Sequence, residues 1–187
     1  MNLVLASGSP RRKELLATAG FEFEVRPVDI DETPLPGESP ADYVERLAEA
    51  KARAAWRAGE ITLGADTTVA VDGEILGKPI DAADATAMLG KLAGRTHEVL
   101  TGFCLFNGTV ARPGVDLTHV SFLPLSEAEI AEYVASGEPM DKAGAYGIQG
   151  LASKFIYRVK GCYFNVVGLP VSRIYGFLRS ASEHGFH

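Results

Sequence analysis

Apolar and polar positions along the chain fall into short blocks that switch between strand and helix periods. The run Leu3–Ala6 is continuously apolar and reads as a short buried strand. Ser9 then offers an N-cap and Pro10 a first helical residue, so a helix is expected from Pro10 to about Ala19, stopped by Gly20. "FEFEV" alternates like a half-exposed strand, and "PVDIDETPLPGESP" reads as a loop rich in Pro, Gly and acid. Ser39 and Pro40 open a second helix with Asp42 at the capping-box position. Its apolar face carries Val44, Leu47, Ala48 and Ala55, and Lys51 falls on the same inward stripe. A lysine there either snorkels to solvent or is aimed into a site.

"ITLGADTTVAVDGEILGKP" reads as a strand, a break at Asp66, a strand, an Asp72-Gly73 turn and a further strand. Asp81 caps an alanine-rich helix running to about Leu92. "THEVLTGFCLFNGTVA" is a hairpin around Asn107-Gly108, and "VDLTHVSFLPL" is another strand. A helix follows with a capping box from Ser126 to Glu129 and a stop at Gly137. "AGAYGIQGLAS" is a glycine-rich loop, "KFIYRVKGCYFNVVG" supplies the last strands, and Pro170 starts a C-terminal helix. Alternating strands and helices with several hairpins predict an α/β domain built on a mixed sheet. The pattern shows no internal repeat, low-complexity tract or long linker.

Composition narrows the ligand classes more than the fold. With 187 residues the chain is long enough for one domain with a real core, and 47% apolar and 22% charged residues are ordinary for a globular protein. The net charge of −6 argues against a nucleic-acid polymer as general partner, but leaves room for a compact anion held by a few converging cations. Cys104 and Cys162 form no C-x-x-C pair and are expected to be reduced thiols. No stretch has signal-peptide or membrane-spanning character, so a cytoplasmic location is expected.

The candidate chemistry starts at "SGSPRRKELL". Arg11, Arg12 and Lys13 sit where a helix N-terminus already carries partial positive charge, and each cation there costs about 0.3–1 kcal/mol. Either they are solvated surface residues, or an anion such as phosphate sits at the helix start and the Ser7-Gly8-Ser9 loop. The spacings of a Walker loop and of G-x-G-x-x-G are absent. Asp66 follows an apolar strand, where α/β sheets build sites, although a turn-forming Asp is the plainer explanation. Glu32 lies in the acidic loop; paired with a second acid it would suit a hard divalent cation completed by waters and phosphates. Lys78 in "LGKP" reads on its own as an exposed lysine after a hairpin, and Gln149 in "YGIQG" sits where a loop presents an amide to a base edge. His97, His119 and His184 lack zinc spacing, and Tyr43 and Trp56 read as packing residues.

Taken together, "LASGSPRRKELL", "VDIDETP", "RLAEAKA", "GADTTVAVDGEILGKP", "THEVLTG", "LSEAEIAEYVASGEPMDKAGAYGIQG" and "NVVGLP", in this order, resemble the Maf family of nucleoside triphosphate pyrophosphatases, from Leu3 to about Leu178. The resemblance implies a single Maf-like domain over residues 1–187. Its fold would be inosine-triphosphatase-like: an elongated mixed β-sheet flanked by helices, with two lobes around a cleft. It implies hydrolysis between the α- and β-phosphates of a nucleoside triphosphate, a divalent metal of Mg or Mn type, and Asp66 as proton acceptor for the attacking water. Glu32 and Asp66 would hold the metal, and Ser7, Arg11, Arg12, Lys51, Thr67, Lys78 and Gln149 would bind substrate. Arg11, Thr67 and Gln149 resemble the branch that acts on dTTP and UTP. The branch acting on 7-methylguanosine triphosphate has an aromatic, a Gln and a Glu at those places. A nucleotide-binding regulator of septum formation is the alternative outside enzymes. The intact set Glu32, Lys51, Asp66 and Lys78 argues against it. A homodimer is suggested by resemblance alone.

Overall fold

A computed structural model describes residues 2–184. Strands β1 (Leu3–Leu5), β2 (Glu24–Val25), β3 (Ile61–Val71), β4 (Glu74–Leu76), β5 (Thr96–Phe106), β6 (Ala111–Phe122) and β7 (Ile156–Lys160) form a seven-stranded sheet. The order is β2-β1-β3-β5-β6-β7, with β4 paired to β3. β1 runs parallel to β2 and β3, whereas β3 with β4 and β6 with β7 are antiparallel, so the sheet is mixed as the pattern predicts. The helices are α1 (Pro10–Thr18), α2 (Pro40–Ala55), α3 (Ala82–Leu92), α4 (Glu127–Ala135), α5 (Tyr163–Val167) and α6 (Val171–His184). Ser9, Ser39, Asp81 and Ser126 cap α1 to α4 through their side chains, and Ser126 and Glu129 form the expected capping box. No described helix is long and apolar enough to cross a membrane.

The chain divides into two compact units. The first takes the chain up to Asp66, Thr101–Asp116 and the chain from Gly168 onward. Its main core joins Leu3 and Leu5 of β1, Leu16 of α1, Leu63 and Ala65 of β3, Phe103 and Leu105 of β5, and Ile174 and Leu178 of α6. On β3, Leu63 and Ala65 point into this core, so by strand alternation Thr62, Gly64 and Asp66 face the other way, toward α2. There the Thr62 hydroxyl donates to the Ala52 carbonyl at 2.7 Å. A Cβ on Gly64 would stand 2.0 Å from the Ala48 carbonyl oxygen, and one on Gly102 of β5 2.1 Å from that of Val44. Two glycines therefore let the α2 backbone lie directly on the sheet, with Ala48 and Ala52 against Cys104 and Phe106.

The second unit comprises Thr67–Leu100 and Leu117–Val167. Its core gathers Val69 and Val71, Leu89 and Leu92 of α3, Val99, Val120, Phe122, Tyr133 of α4, Tyr146 and Phe155.

Four details differ from the sequence-based expectation. β3 runs unbroken through Asp66, because Lys51 satisfies the carboxylate and no turn is needed. The hairpin arm ending at Ala111 and the following strand are one strand, β6, passing through Pro113 and Gly114. β7 pairs only from His119 onward, so the part of β6 holding Pro113 has no β7 partner to lack an N–H for. "FEFEV" contributes only Glu24–Val25, because β1 offers a partner just three residues long. The segment "CYFNVV" contains α5 rather than a strand: Asn165, fully buried, donates to the Val99 carbonyl and the Thr118 hydroxyl, which fixes a helical turn.

Candidate active site

The close seating of α2 has a chemical consequence. Lys51 projects from α2 toward Asp66 on the facing side of β3, and its ammonium donates to Asp66 Oδ1 at 2.6 Å. The same ammonium meets Glu32 Oε1 at 2.6 Å. Lys51 and Asp66 are buried, whereas the Glu32 side chain is about half exposed at 52%. The inward lysine is thus aimed at two carboxylates. Removing the Lys51 ammonium would leave the buried Asp66 carboxylate without its partner inside the unit, a change that typically costs about 3–5 kcal/mol.

Glu32 comes from the acidic loop, which α2 holds. The Tyr43 hydroxyl donates to the Glu32 carbonyl at 3.0 Å. Arg46 donates from Nε and Nη2 to the two Glu38 oxygens at 2.6 and 2.8 Å, and from Nη2 to the Thr33 carbonyl. Arg46 holds the Glu38 carboxyl down at about 2, so this clasp stays charged throughout the neutral range. Burial, with the charges of Asp66 and Glu32, pushes the Tyr43 phenol up to about 12, so it stays a protonated donor. Tyr43 is a residue that the sequence reading assigned to packing. The signal for its role is the spacing Tyr43, Leu47, Lys51, which lines up one stripe of α2.

The cations at the start of α1 part company. Arg12 is buried and turns inward: its Nε donates to the Gly168 carbonyl at 2.8 Å, and its Nη1 to Ser7 Oγ and the Ala65 carbonyl at 3.0 Å each. Ser7 Oγ also accepts from the Ser9 amide at 3.3 Å. Arg12 therefore ties the loop after β1, the residue before Asp66 and the entry to α6 together. Burial pulls its pKa down while the Asp66 charge opposes that, so the cation balances the carboxylates beside it. Arg11 remains half-buried on the helix. The first unit thus brings together Ser7, Arg12, Glu32, Lys51 and Asp66.

Thr67, Lys78 and Gln149 belong to the second unit. Thr67 is half-buried on β3 next to Asp66 in the chain, and Lys78 is exposed just after β4. Gln149 is exposed in a turn closed by the Gly150 amide on the Gly147 carbonyl at 3.1 Å. The cysteines are free, and burial raises the Cys104 thiol to about 12, which leaves it inert.

Glu32 and Asp66 offer two hard oxygen donors converging on one cation, the donor set that suits Mg²⁺ or Mn²⁺ when substrate phosphates and waters supply the remaining ligands. Among the described residues no group of three or more His, Cys, Asp or Glu could hold a metal by itself. The residues present fit a metal that arrives with its phosphates rather than one caged by protein.

The family described as Maf-like protein matches residues 2–181. This chain belongs to the Maf family. The match covers both units and all the site residues above. A dTTP/UTP pyrophosphatase of Citrifermentans bemidjiense is 53% identical over 182 residues, covering 95% of this chain and 94% of that protein. One from Hahella chejuensis is 55% identical over 174 residues, covering 90% and 87%, and one from Koribacter versatilis is 49% identical over 183 residues, covering 97% and 95%. Among solved structures, the Staphylococcus aureus Ham1 protein aligns with 65% of this Maf chain and 72% of its own at 15% identity and a TM-score of 0.47.

Proposed function

We propose that this Maf protein hydrolyses dTTP and UTP to the nucleoside monophosphate and pyrophosphate. The observation that carries the reading is the buried Lys51 ammonium bonded to both Asp66 and Glu32, inside a chain about half identical to proteins named for that activity. The match across both units supports treating residues 1–187 as one Maf-like domain.

Asp66, held by Lys51, takes the proton of the attacking water as the α–β phosphoanhydride bond breaks. A divalent metal held by Glu32 and Asp66 would polarise a phosphoryl oxygen and offset the charge of the triphosphate. Lys51, released from one carboxylate when substrate enters, follows the negative charge onto the leaving pyrophosphate. Arg12 fixes Ala65, and so the approach of Asp66, while Ser7 holds the guanidinium in register. Arg11 and Lys78 supply further cations to the phosphates. Gln149 carries both a donor and an acceptor and so matches the edge of a uracil or thymine ring. Arg11, Thr67 and Gln149 together support the pyrimidine branch over 7-methylguanosine triphosphate.

The test is to supply UTP or dTTP with Mg²⁺ or Mn²⁺ and to assay pyrophosphate and orthophosphate separately. Monophosphate and pyrophosphate are expected in equal amounts. Diphosphate with orthophosphate would overturn the reading.

A further inference from the structure

Gln149 lies in an exposed turn, and an exposed amide on a floppy turn discriminates bases poorly, because ordering it on binding costs free energy. The structure around this turn opposes that flexibility. Glu138, in the helical turn after α4, reaches back to both ends of it. Glu138 Oε2 accepts the Leu151 amide at 2.9 Å, and Oε1 accepts the Tyr133 hydroxyl at 2.9 Å. The Tyr133 oxygen in turn accepts the Gly147 amide at 3.3 Å. One carboxylate thus holds Leu151 directly and Gly147 through Tyr133, on either side of Ile148 and Gln149.

The two glycines of "YGIQG" follow from this arrangement. A Cβ on Gly150 would stand 2.2 Å from Glu138 Oε1 and 2.5 Å from Oε2, and one on Gly147 would stand 2.7 Å from Lys142 Cε. Neither glycine has a positive φ. A Cβ at either position would have to displace the Glu138 carboxylate or the Lys142 stem. Lys142 in turn donates to the Glu138 carbonyl at 2.7 Å. At the root of the turn, the buried Tyr146 hydroxyl meets His97 Nε2 at 2.7 Å in the core. The tip is exposed and its support is buried or bonded.

We infer that Glu138, acting through Tyr133 and the Leu151 amide, is a positioning residue that holds Gln149 in place for pyrimidine selection. The inference rests on the proposed role of Gln149 and adds a residue that sets base preference without itself reading the base. Glu138 spends both carboxylate oxygens within the second unit, on the Leu151 amide and the Tyr133 hydroxyl. Its loss therefore acts on KM and on selectivity rather than on kcat.

The experiment compares Glu138→Ala, Glu138→Gln, Gln149→Ala and the double variant Glu138→Ala/Gln149→Ala. The readouts are kcat and KM for UTP and for ATP, and amide hydrogen exchange over residues 146–152 without nucleotide. Glu138→Ala is expected to raise KM for UTP about tenfold, to lower the UTP-over-ATP preference by a similar factor, and to leave kcat within about threefold. It should also speed exchange at Gly147 and Leu151. Glu138→Gln keeps one oxygen for the Leu151 amide and should restore part of the selectivity. In the Gln149→Ala background, loss of Glu138 should change selectivity no further, since both act on one contact. Unchanged selectivity in Glu138→Ala beside an impaired Gln149→Ala overturns the inference alone, as does a full additive loss in the double variant. Unchanged selectivity in Gln149→Ala overturns the base-reading role and the inference with it. A uniform fall in kcat on both nucleotides in Glu138→Ala would mark a merely structural residue and also overturns it.

Discussion

The two units hold their proposed site residues in opposite ways. In the first, Lys51 and Asp66 are buried and bonded to each other, the half-exposed Glu32 meets the same ammonium, and Arg12 is buried on the Ala65 carbonyl. In the second, Lys78 and Gln149 are exposed, and the order lies behind the tip, in Glu138, Tyr133 and the His97–Tyr146 pair. The difference suits the two proposed tasks. Charge stabilisation gains from a fixed, poorly solvated site whose groups need no reorganisation. Recognition of a base edge needs an accessible amide whose freedom has already been restricted.

The largest effect is expected at the backbone contact that assembles the first unit. Gly64→Ala would drive a methyl group to within 2.0 Å of the Ala48 carbonyl oxygen and 2.6 Å of the Ala52 nitrogen, both of them backbone atoms that cannot step aside. Displacement of α2 carries Lys51 away from Asp66. A loss of about 3 kcal/mol or more in urea unfolding is expected, together with loss of turnover. A stable, active Gly64→Ala protein would show that the seating of α2 does not position Lys51.

A somewhat smaller effect probes the second unit. Burial alone holds the His97 pKa down to about 4, against 6.5 for a free imidazole. As pH falls through that window the unfolded chain takes up a proton that the folded chain refuses. Stability contributed by the neutral imidazole is therefore complete above about pH 6.5 and is lost toward pH 4, by about 3 kcal/mol at most. Urea unfolding across this range should show the slope, and His97→Gln should flatten it by about one proton. An unaltered slope in that variant would show that the root of the Gln149 turn does not depend on a neutral His97.

The sequence pattern exposes these two strategies to different degrees. The first unit is largely legible: Lys51 on the apolar stripe of α2 is an anomaly that the structure resolves as an aim toward Asp66, and the misplaced cations of α1 include one that turns inward. What the pattern misses is geometric. Asp66 reads as a strand break because a lone aspartate is poor in a sheet, and only a lysine from a segment fifteen positions away in the chain removes that penalty. Gly64 and Gly102 carry no local sign that a helix lies on them. In the second unit, Gln149 is legible as a presented amide, but "YGIQG" resembles any flexible loop. Its support comes from Tyr133 and Glu138, which local reading assigns to a helix and the residues beyond its stop. "CYFNVV" is misread because its aromatic and β-branched residues favour a strand, while Asn165, bonded to Val99 and Thr118, turns it into a helix.

On the proposed reading, the Lys51–Asp66–Glu32 cluster of the first unit performs the chemistry. Asp66→Asn tests it most directly, because it keeps shape and volume while removing the negative charge that Lys51 bonds. Pyrophosphate release from UTP in the presence of Mg²⁺ should be measured on the folded variant and the parent protein together. A fall in kcat of about 10²–10⁴-fold is expected, the contribution of a lost general base, with the cooperative unfolding transition retained. A folded Asp66→Asn protein that releases pyrophosphate at close to the parent rate would contradict it.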